Sequence, residues 1–252
     1  MGETTEDRVA ETLRSLKRNN FGTRYVATRA TAGEAVRDLI PVGSTVGIGD
    51  SVSIRQLGVI QELEQNGRIV VNPFSKPVSD AMNAGQITDE QSGRIDRLAL
   101  QCEFFLTGTN VLTKDGKLLN VDGAGNRVVG QMFGPERVLI VVGVNKIVED
   151  LEAGFERIRN VIAPQHAKMK RRDTPCVEFG HCVDCSSPER ICNVTGIIEK
   201  NPSLTDITII LVNEDLGLGW DLEWAEDRIE NLRSNYESFT WLIKSGWSDQ
   251  RR

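Results

Sequence analysis

Residues 41–72 constrain the fold of this chain more than any other stretch. They read PVGSTVGIGDSVSIRQLGVIQELEQNGRIVVN. Thr45–Ile48 forms a short apolar strand and Gly47–Ser53 a turn bearing glycine and serine. Ile54–Gln65 follows as a helix, with Leu57, Val59, Ile60 and Leu63 on or near its inner face and Gly67 at its C′ position. Arg68–Asn72 is the next strand. A strand–turn–helix–strand order of this length joins parallel neighbours by a right-handed crossover. The expected fold class is therefore α/β, with an open, mostly parallel, Rossmann-like sheet.

The remaining pattern extends that sheet. An amphipathic helix over 5–19 carries Val9, Leu13 and Leu16, and Arg24–Thr28 supplies a strand. Thr31 caps a helix over 32–40, with Glu34 as its capping partner. Pro73–Gly85 reads as irregular and Thr88–Leu100 as helical. Glu103–Thr107 is a strand, and a hairpin about Asp115–Gly116 joins Val111–Thr113 to Lys117–Asn120. A short helix spans Arg127–Phe133. Arg137–Val142, RVLIVV, is the most apolar strand and belongs at the centre. A helix is expected over Lys146–Ile162, a cysteine-bearing lobe over 163–193, a helical turn over Val194–Lys200 and a last strand over Asp206–Val212. Residues 1–220 then form one α/β domain, and 221–252 an amphipathic tail with its helix over Leu222–Ser245. The tail region holds Trp220, Trp224, Phe239, Trp241 and Trp247, which pack on the body or on a second subunit; a homodimer is the expected assembly.

Charge and hydropathy remove several function classes. The net charge of −6 argues against nucleic acid or an anionic membrane as the main partner. No basic start precedes an apolar run, and no stretch approaches the roughly 20 apolar residues of a membrane span. A cytoplasmic location is expected. Five cysteines in such a chain point to thiols or metal ligands before disulfides.

Two loops carry candidate ligand chemistry. In the first, Gly47 and Gly49 permit close backbone approach, and Asp50, Ser51 and Ser53 add polar groups where a helix begins. An anion site and a plain helix cap both fit this turn. It is neither a dinucleotide fingerprint nor a P-loop, because Val52 stands at the third glycine position and no Gly-Lys-Ser/Thr ending follows. The second loop, within LTGTNVLTKDGKLLNVDGAGNR at 106–127, offers Thr109, Asn110, Asn120, Asp122, Gly123, Gly125, Asn126 and Arg127. Asp122 is the candidate catalytic base, and a tight loop whose polar groups satisfy turn amides is the structural alternative. Lys146, beyond the central strand, ends on the same side of the sheet and can pair with a carboxylate or phosphate.

Cys176, Cys182, Cys185 and Cys192 lie within 17 positions of one another. A Cys-x2-Cys pair presents two thiolates to one metal, and two more complete a four-sulfur shell. Zinc and a [4Fe-4S] cluster are both chemically allowed. His181 sits beside Cys182. Cys102 reads as a buried thiol.

The run FFLTGTNVLTKDGKLLNVDGAGNRVVGQMFGPERVLIVVGVNKIV resembles the signature of the LUD-domain family, the lactate-utilisation proteins. TPC…GHCVDCSSPERICN resembles a cysteine-bearing branch of it, and the likeness spans roughly 5–215. The family's fold is similar to the superfamily of ribose-5-phosphate isomerase, glucosamine-6-phosphate deaminase and CoA-transferase. Gly47–Ser53 looks like the isomerase's phosphate loop and Asp122–Asn126 like its Asp-Gly-Ala-Asp-Glu loop. Gly125 and Asn126 stand where that enzyme has two acids, which weighs against ribose-phosphate isomerisation. The resemblance implies lactate-type carboxylate metabolism beside an iron–sulfur redox partner protein. Two readings follow. In one, the chain is an enzyme acting on a small anionic hydroxy acid, keto acid or sugar-phosphate-like ligand. In the other, it is a non-catalytic iron–sulfur or zinc subunit of a lactate-oxidising complex.

Overall fold

A computed structural model describes residues 4–241 of the chain. In order, the elements are α1 (Thr5–Arg18), β1 (Gly22–Val26), α2 (Arg29–Leu39), β2 (Thr45–Ile48), α3 (Val52–Leu57), α4 (Val59–Gln65) and β3 (Ile69–Val71). Next come α5 (Lys76–Asn83), α6 (Asp89–Ala99), β4 (Phe104–Gly108), β5 (Val111–Thr113), β6 (Leu118–Asp122), α7 (Asn126–Met132) and β7 (Arg137–Gly143). A 3-10 turn (Val144–Lys146) leads to β8 (Ile147–Val148), α8 (Leu151–Arg157), a π-helical segment (Ile158–Ile162) and α9 (Ala163–Met169). The chain continues through α10 (Pro175–Phe179), β9 (Val194–Ile198), β10 (Asp206–Val212) and α11 (Glu226–Ser238).

The main sheet is fully parallel, six-stranded, in the order β1-β10-β7-β4-β2-β3. Its strand β7 is buried on both faces, which is why it reads as an unbroken apolar run. Leu139 and Val141 join the core under α2, α3 and α4, with Ala32, Val36, Ile54 and Leu63. Val138, Ile140 and Val142 point to the opposite face, with Leu16 of α1 and with Leu112 and Leu118. That opposite face is covered partly by a second sheet of four strands, order β8-β5-β6-β9. The hairpin expected from Asp115–Gly116 is therefore present as β5 and β6, but it belongs to this second layer.

Several expectations are corrected by local chemistry. Thr28, not Thr31, caps α2; Thr31 sits at N3 and closes a capping box back to it. The helix expected over Ile54–Gln65 starts at Val52 and breaks at Gly58, whose φ of 69° ends α3 and opens α4. Pro73–Gly85 contains a helix, capped by Ser75 with Pro77 in its first turn. The expected helix over Lys146–Ile162 begins only at Leu151 and runs on to Met169, through the π segment that precedes Pro164. Proline cannot donate inside a helix, and the widened turn accommodates it. Within Val194–Lys200, residues Val194–Ile198 form a strand, not a helical turn, pairing antiparallel with β6.

The tail helix is shorter than expected. It ends at Ser238, and Ile229, Leu232 and Tyr236 pack with Val52, Val111, Leu119, Ile162 and Trp220 in a third core cluster. Residues 242–245 and Trp247 lie outside the described residues. Among the described residues no helix is long and apolar enough to cross a membrane.

Candidate functional site

The connections from β2 and β4 leave in opposite directions across the sheet. The chain after β2 moves to β3 at one edge, and the chain after β4 moves to β7 on the other side. The carboxyl ends of β2 and β4 are thus a topological switch point, where open parallel sheets form a crevice. A cavity of about 510 Å³ lies there, a usual size for a small-ligand site. It is lined by residues from both predicted loops, from Lys146, from α9, from Pro188–Asn193 and from the segment 217–236.

Two of the predicted glycines serve packing. A Cβ at Gly47 would fall 1.9 Å from the Ala99 carbonyl oxygen, so the glycine lets the end of α6 rest on β2. A Cβ at Gly49 would meet Thr107 Oγ1 at 2.5 Å. Neither residue lines the cavity; Asp50, Ser51 and Ser53 do. Ser51 occupies the N-cap position of α3, but its side chain makes no capping bond.

The second loop builds one arginine. Asp122 Oδ1 accepts from Arg127 Nε at 3.0 Å and from Nη2 at 2.6 Å, while Oδ2 accepts from the Val128 N–H at 2.8 Å. Arg127 Nη2 also donates to Asn110 Oδ1 at 2.7 Å and to the Val121 carbonyl at 3.0 Å. Both oxygens of Asp122 are committed, so this carboxylate acts as the clamp of Arg127. That geometry speaks against the proton-transfer role expected of it. Asn110 and Asn120 reinforce the clamp: Asn110 Oδ1 also accepts from the Val121 N–H, and Asn120 receives the Asn110 N–H and donates to Gln131. Asn120 is buried and away from the cavity, as is Thr109. Gly123 and Asn126 line it; Gly125, at φ 84°, is the left-handed start of α7.

Lys146 reaches the switch point from the turn after β7. Its Nζ donates to the Thr109 carbonyl at 2.8 Å and lies 3.2 Å from Ser53 Oγ, bridging the two loops. The side chain is buried, and no carboxylate pairs with it among the described residues. Burial, with the nearby Arg127 charge adding, pushes the amine down to about 7.

Four further cavity residues had no assigned role in the sequence. Asp96, on α6, accepts from Asn126 Nδ2 at 3.1 Å, and burial pushes its carboxyl up to about 6. His166 Nδ1 stands 2.7 Å from the Tyr236 hydroxyl. Burial pushes the imidazole down to about 3, leaving it neutral, and pushes the Tyr236 phenol well up. Lys170 lies 4.0 Å from Asp50, which Arg55 binds at 2.6 Å. Burial opposes the Asp50 charge, but Lys170 and Arg55 together hold the carboxyl well below its usual range. The i, i+4 spacing of His166 and Lys170 on one helix face was a usable signal; nothing local marks Tyr236.

The cysteine lobe forms a wall of the same cavity. The Asn193 N–H donates to the Asp122 carbonyl at 2.9 Å, and Asn193 Nδ2 donates to the Gly123 carbonyl at 3.1 Å. Arg190 donates to the carbonyls of Cys185 and Cys192. Burial pushes the Cys192 thiol up, with Cys182 and Cys185 near enough to add to the effect. Among the described residues, however, no three His, Cys, Asp or Glu side chains are arranged to hold a metal ion.

A family model described as the LUD domain matches residues 9–212. The chain belongs to the LUD-domain family. A DUF162 family protein of known structure from Deinococcus radiodurans is similar, with 11% sequence identity and a TM-score of 0.47 over 84% of this chain and 99% of that one. No curated protein matches the chain. Gly217, Leu218 and Tyr236, which complete the cavity, lie beyond the matched segment.

Proposed function

We propose that this LUD-family member takes a small anionic hydroxy or keto acid into the cavity at the β2–β4 switch point. Arg127 binds the carboxylate, and Lys146 faces the oxygen-bearing carbon. The observation that carries this reading is the state of Arg127. Asp122 and Asn110 fix its Nε and Nη2, and Nη1 has no partner among the described residues. A guanidinium so held presents the two N–H donors of Nη1 to an anion in a fixed orientation. Asp50 does not compete for the ligand, because Arg55 and Lys170 already neutralise it. The cavity volume of about 510 Å³ admits acids larger than three carbons.

The test is a thermal-shift and calorimetric panel of 2-hydroxy acids, 2-keto acids and sugar phosphates. Lactate, to which the family resemblance points, is one member. Carboxylic acids are expected to raise the unfolding midpoint of the wild-type protein, and Arg127→Gln is expected to lose that response. Equal binding by Arg127→Gln, or a response to phosphates alone, would sink the carboxylate assignment.

A further inference from the structure

We propose that Lys146 is a nucleophile whose amine condenses with the ketone carbon of a 2-keto acid to form an imine within the cavity. The inference rests on the small-acid reading above and adds the chemistry at its reacting end.

The first support is the hydrogen-bond inventory of the amine. A neutral primary amine has two N–H donors and one lone pair. Lys146 Nζ has two acceptors, the Thr109 carbonyl at 2.8 Å and Ser53 Oγ at 3.2 Å. The Thr109 oxygen can only accept, so the contact fixes one N–H and helps orient the nitrogen. Where Ser53 Oγ accepts the second N–H, the remaining tetrahedral position is the lone pair. An ammonium would carry a third N–H with no acceptor among the described residues, in a buried site without a carboxylate.

The second support is the side of the nitrogen that Gly217 leaves free of a side chain. Gly217 has φ 68°, a left-handed conformation, and its N–H is anchored to Gln56 Oε1 at 2.8 Å. A Cβ there would stand 2.7 Å from Lys146 Nζ, 2.9 Å from Cε and 2.8 Å from Ser53 Oγ. Any larger residue would crowd the amine. Addition to a carbonyl turns a planar carbon into a tetrahedral one beside the nitrogen, and that needs room.

The environment agrees with the geometry. A buried lysine beside a second cation loses its proton more easily, and Arg127 is that cation. Burial first, and then the Arg127 charge, favour the uncharged amine.

The step balances without an oxidant or reductant. The nitrogen lone pair adds to the ketone carbon, and the carbonyl π pair moves to oxygen, which takes a proton. The carbinolamine then loses its hydroxyl as water. One water is released and one proton is taken up per protonated imine, and hydrolysis reverses both. A 2-hydroxy acid has no electrophilic carbonyl and binds without this bond.

The full chain is incubated with pyruvate and cyanoborohydride, digested and mapped by mass spectrometry. One reduced carboxyethyl group per chain, on the Lys146 peptide, is expected. Lys146→Arg should lose it, and Gly217→Ala should reduce its rate of formation at least about tenfold. Mapping in the wild-type protein keeps the test decisive even if a variant fails to fold. Absence of an adduct at Lys146, or labelling confined to other lysines, overturns the proposal. Thermal shift by pyruvate without reductant separates the two levels. A shift without an adduct removes the imine and leaves the acid site standing, whereas neither signal removes both.

Discussion

Two residues divide the labour of the site. Arg127 is made rigid by its neighbours, and Lys146 is made reactive by lacking an acid. The Asp122 clamp predicts an asymmetric effect of Asp122→Asn. An amide turned either way sets a donor against a donor, because both carboxylate oxygens already accept from Arg127 and Val128. We expect a loss of about 3 kcal/mol of stability by chemical denaturation. Calorimetry should show acid binding weakened by about tenfold to a hundredfold as Arg127 drifts. Lys146 predicts a pH signature. Its folded value, about 7, lies below the ordinary 10.5, so between those values the unfolded chain binds the extra proton and stability rises with pH. Lys146→Met should therefore favour the folded protein most below pH 7, where the buried ammonium is costliest. The gain should shrink steadily from pH 7 toward 10.5. A pH-independent difference in denaturation midpoints would contradict this assignment. Lys146 was visible in the sequence as a cation at a strand end. That it lacks a carboxylate was not, because its contacts come from residues 53 and 109, far along the chain.

At the level of elements, local chemistry wrote most boundaries and long-range packing rewrote a few. The caps at Thr4 and Thr88 and the buried run of β7 follow from short patterns. β9 does not: its alternating exposure arises because β6 accepts it as an antiparallel edge partner, which no local propensity encodes. The cysteine lobe poses the sharpest contrast between spacing and placement. Spacing predicts one zinc ion or one four-iron cluster per chain, while among the described residues no three such side chains are grouped to hold a metal ion. Iron, sulfide and zinc analysis of anaerobically purified protein decides between them. A stoichiometric metal lost in Cys185→Ser would restore the spacing argument. Metal-free protein with four titratable thiols in this lobe would leave it as a cavity wall.

Across the whole molecule, the cavity draws on distant parts of one chain. Ser53, Arg127, Lys146, His166, Cys192 and Tyr236 span 184 positions, yet all line it. α11 roofs the site from outside the family-matched segment and is tied down through Arg55, which donates to the Phe239 carbonyl and stacks 4.0 Å from the Trp241 ring. Ligand binding should therefore slow hydrogen exchange in two separated regions at once, the 107–128 loop and α11. Peptide-level exchange with a saturating acid checks this. Protection confined to the loop would mean that the tail helix does not sense the ligand.

The sequence by itself determined the parallel α/β class and most elements of the main sheet. A period-2 apolar pattern, turn glycines and caps act over a few residues, and parallel crossovers allow only one hand. It also placed Arg127 and Lys146 at strand ends, which is where open parallel sheets bind ligands. The tertiary structure decided what those side chains face. Only packing brings Asp122 onto Arg127 with both oxygens spent, sets Lys146 between Ser53 and Thr109, and lays His166 and Tyr236 against the same space. A side chain's protonation and reach depend on desolvation and on neighbours distant in sequence, and those are fixed only when the layers close.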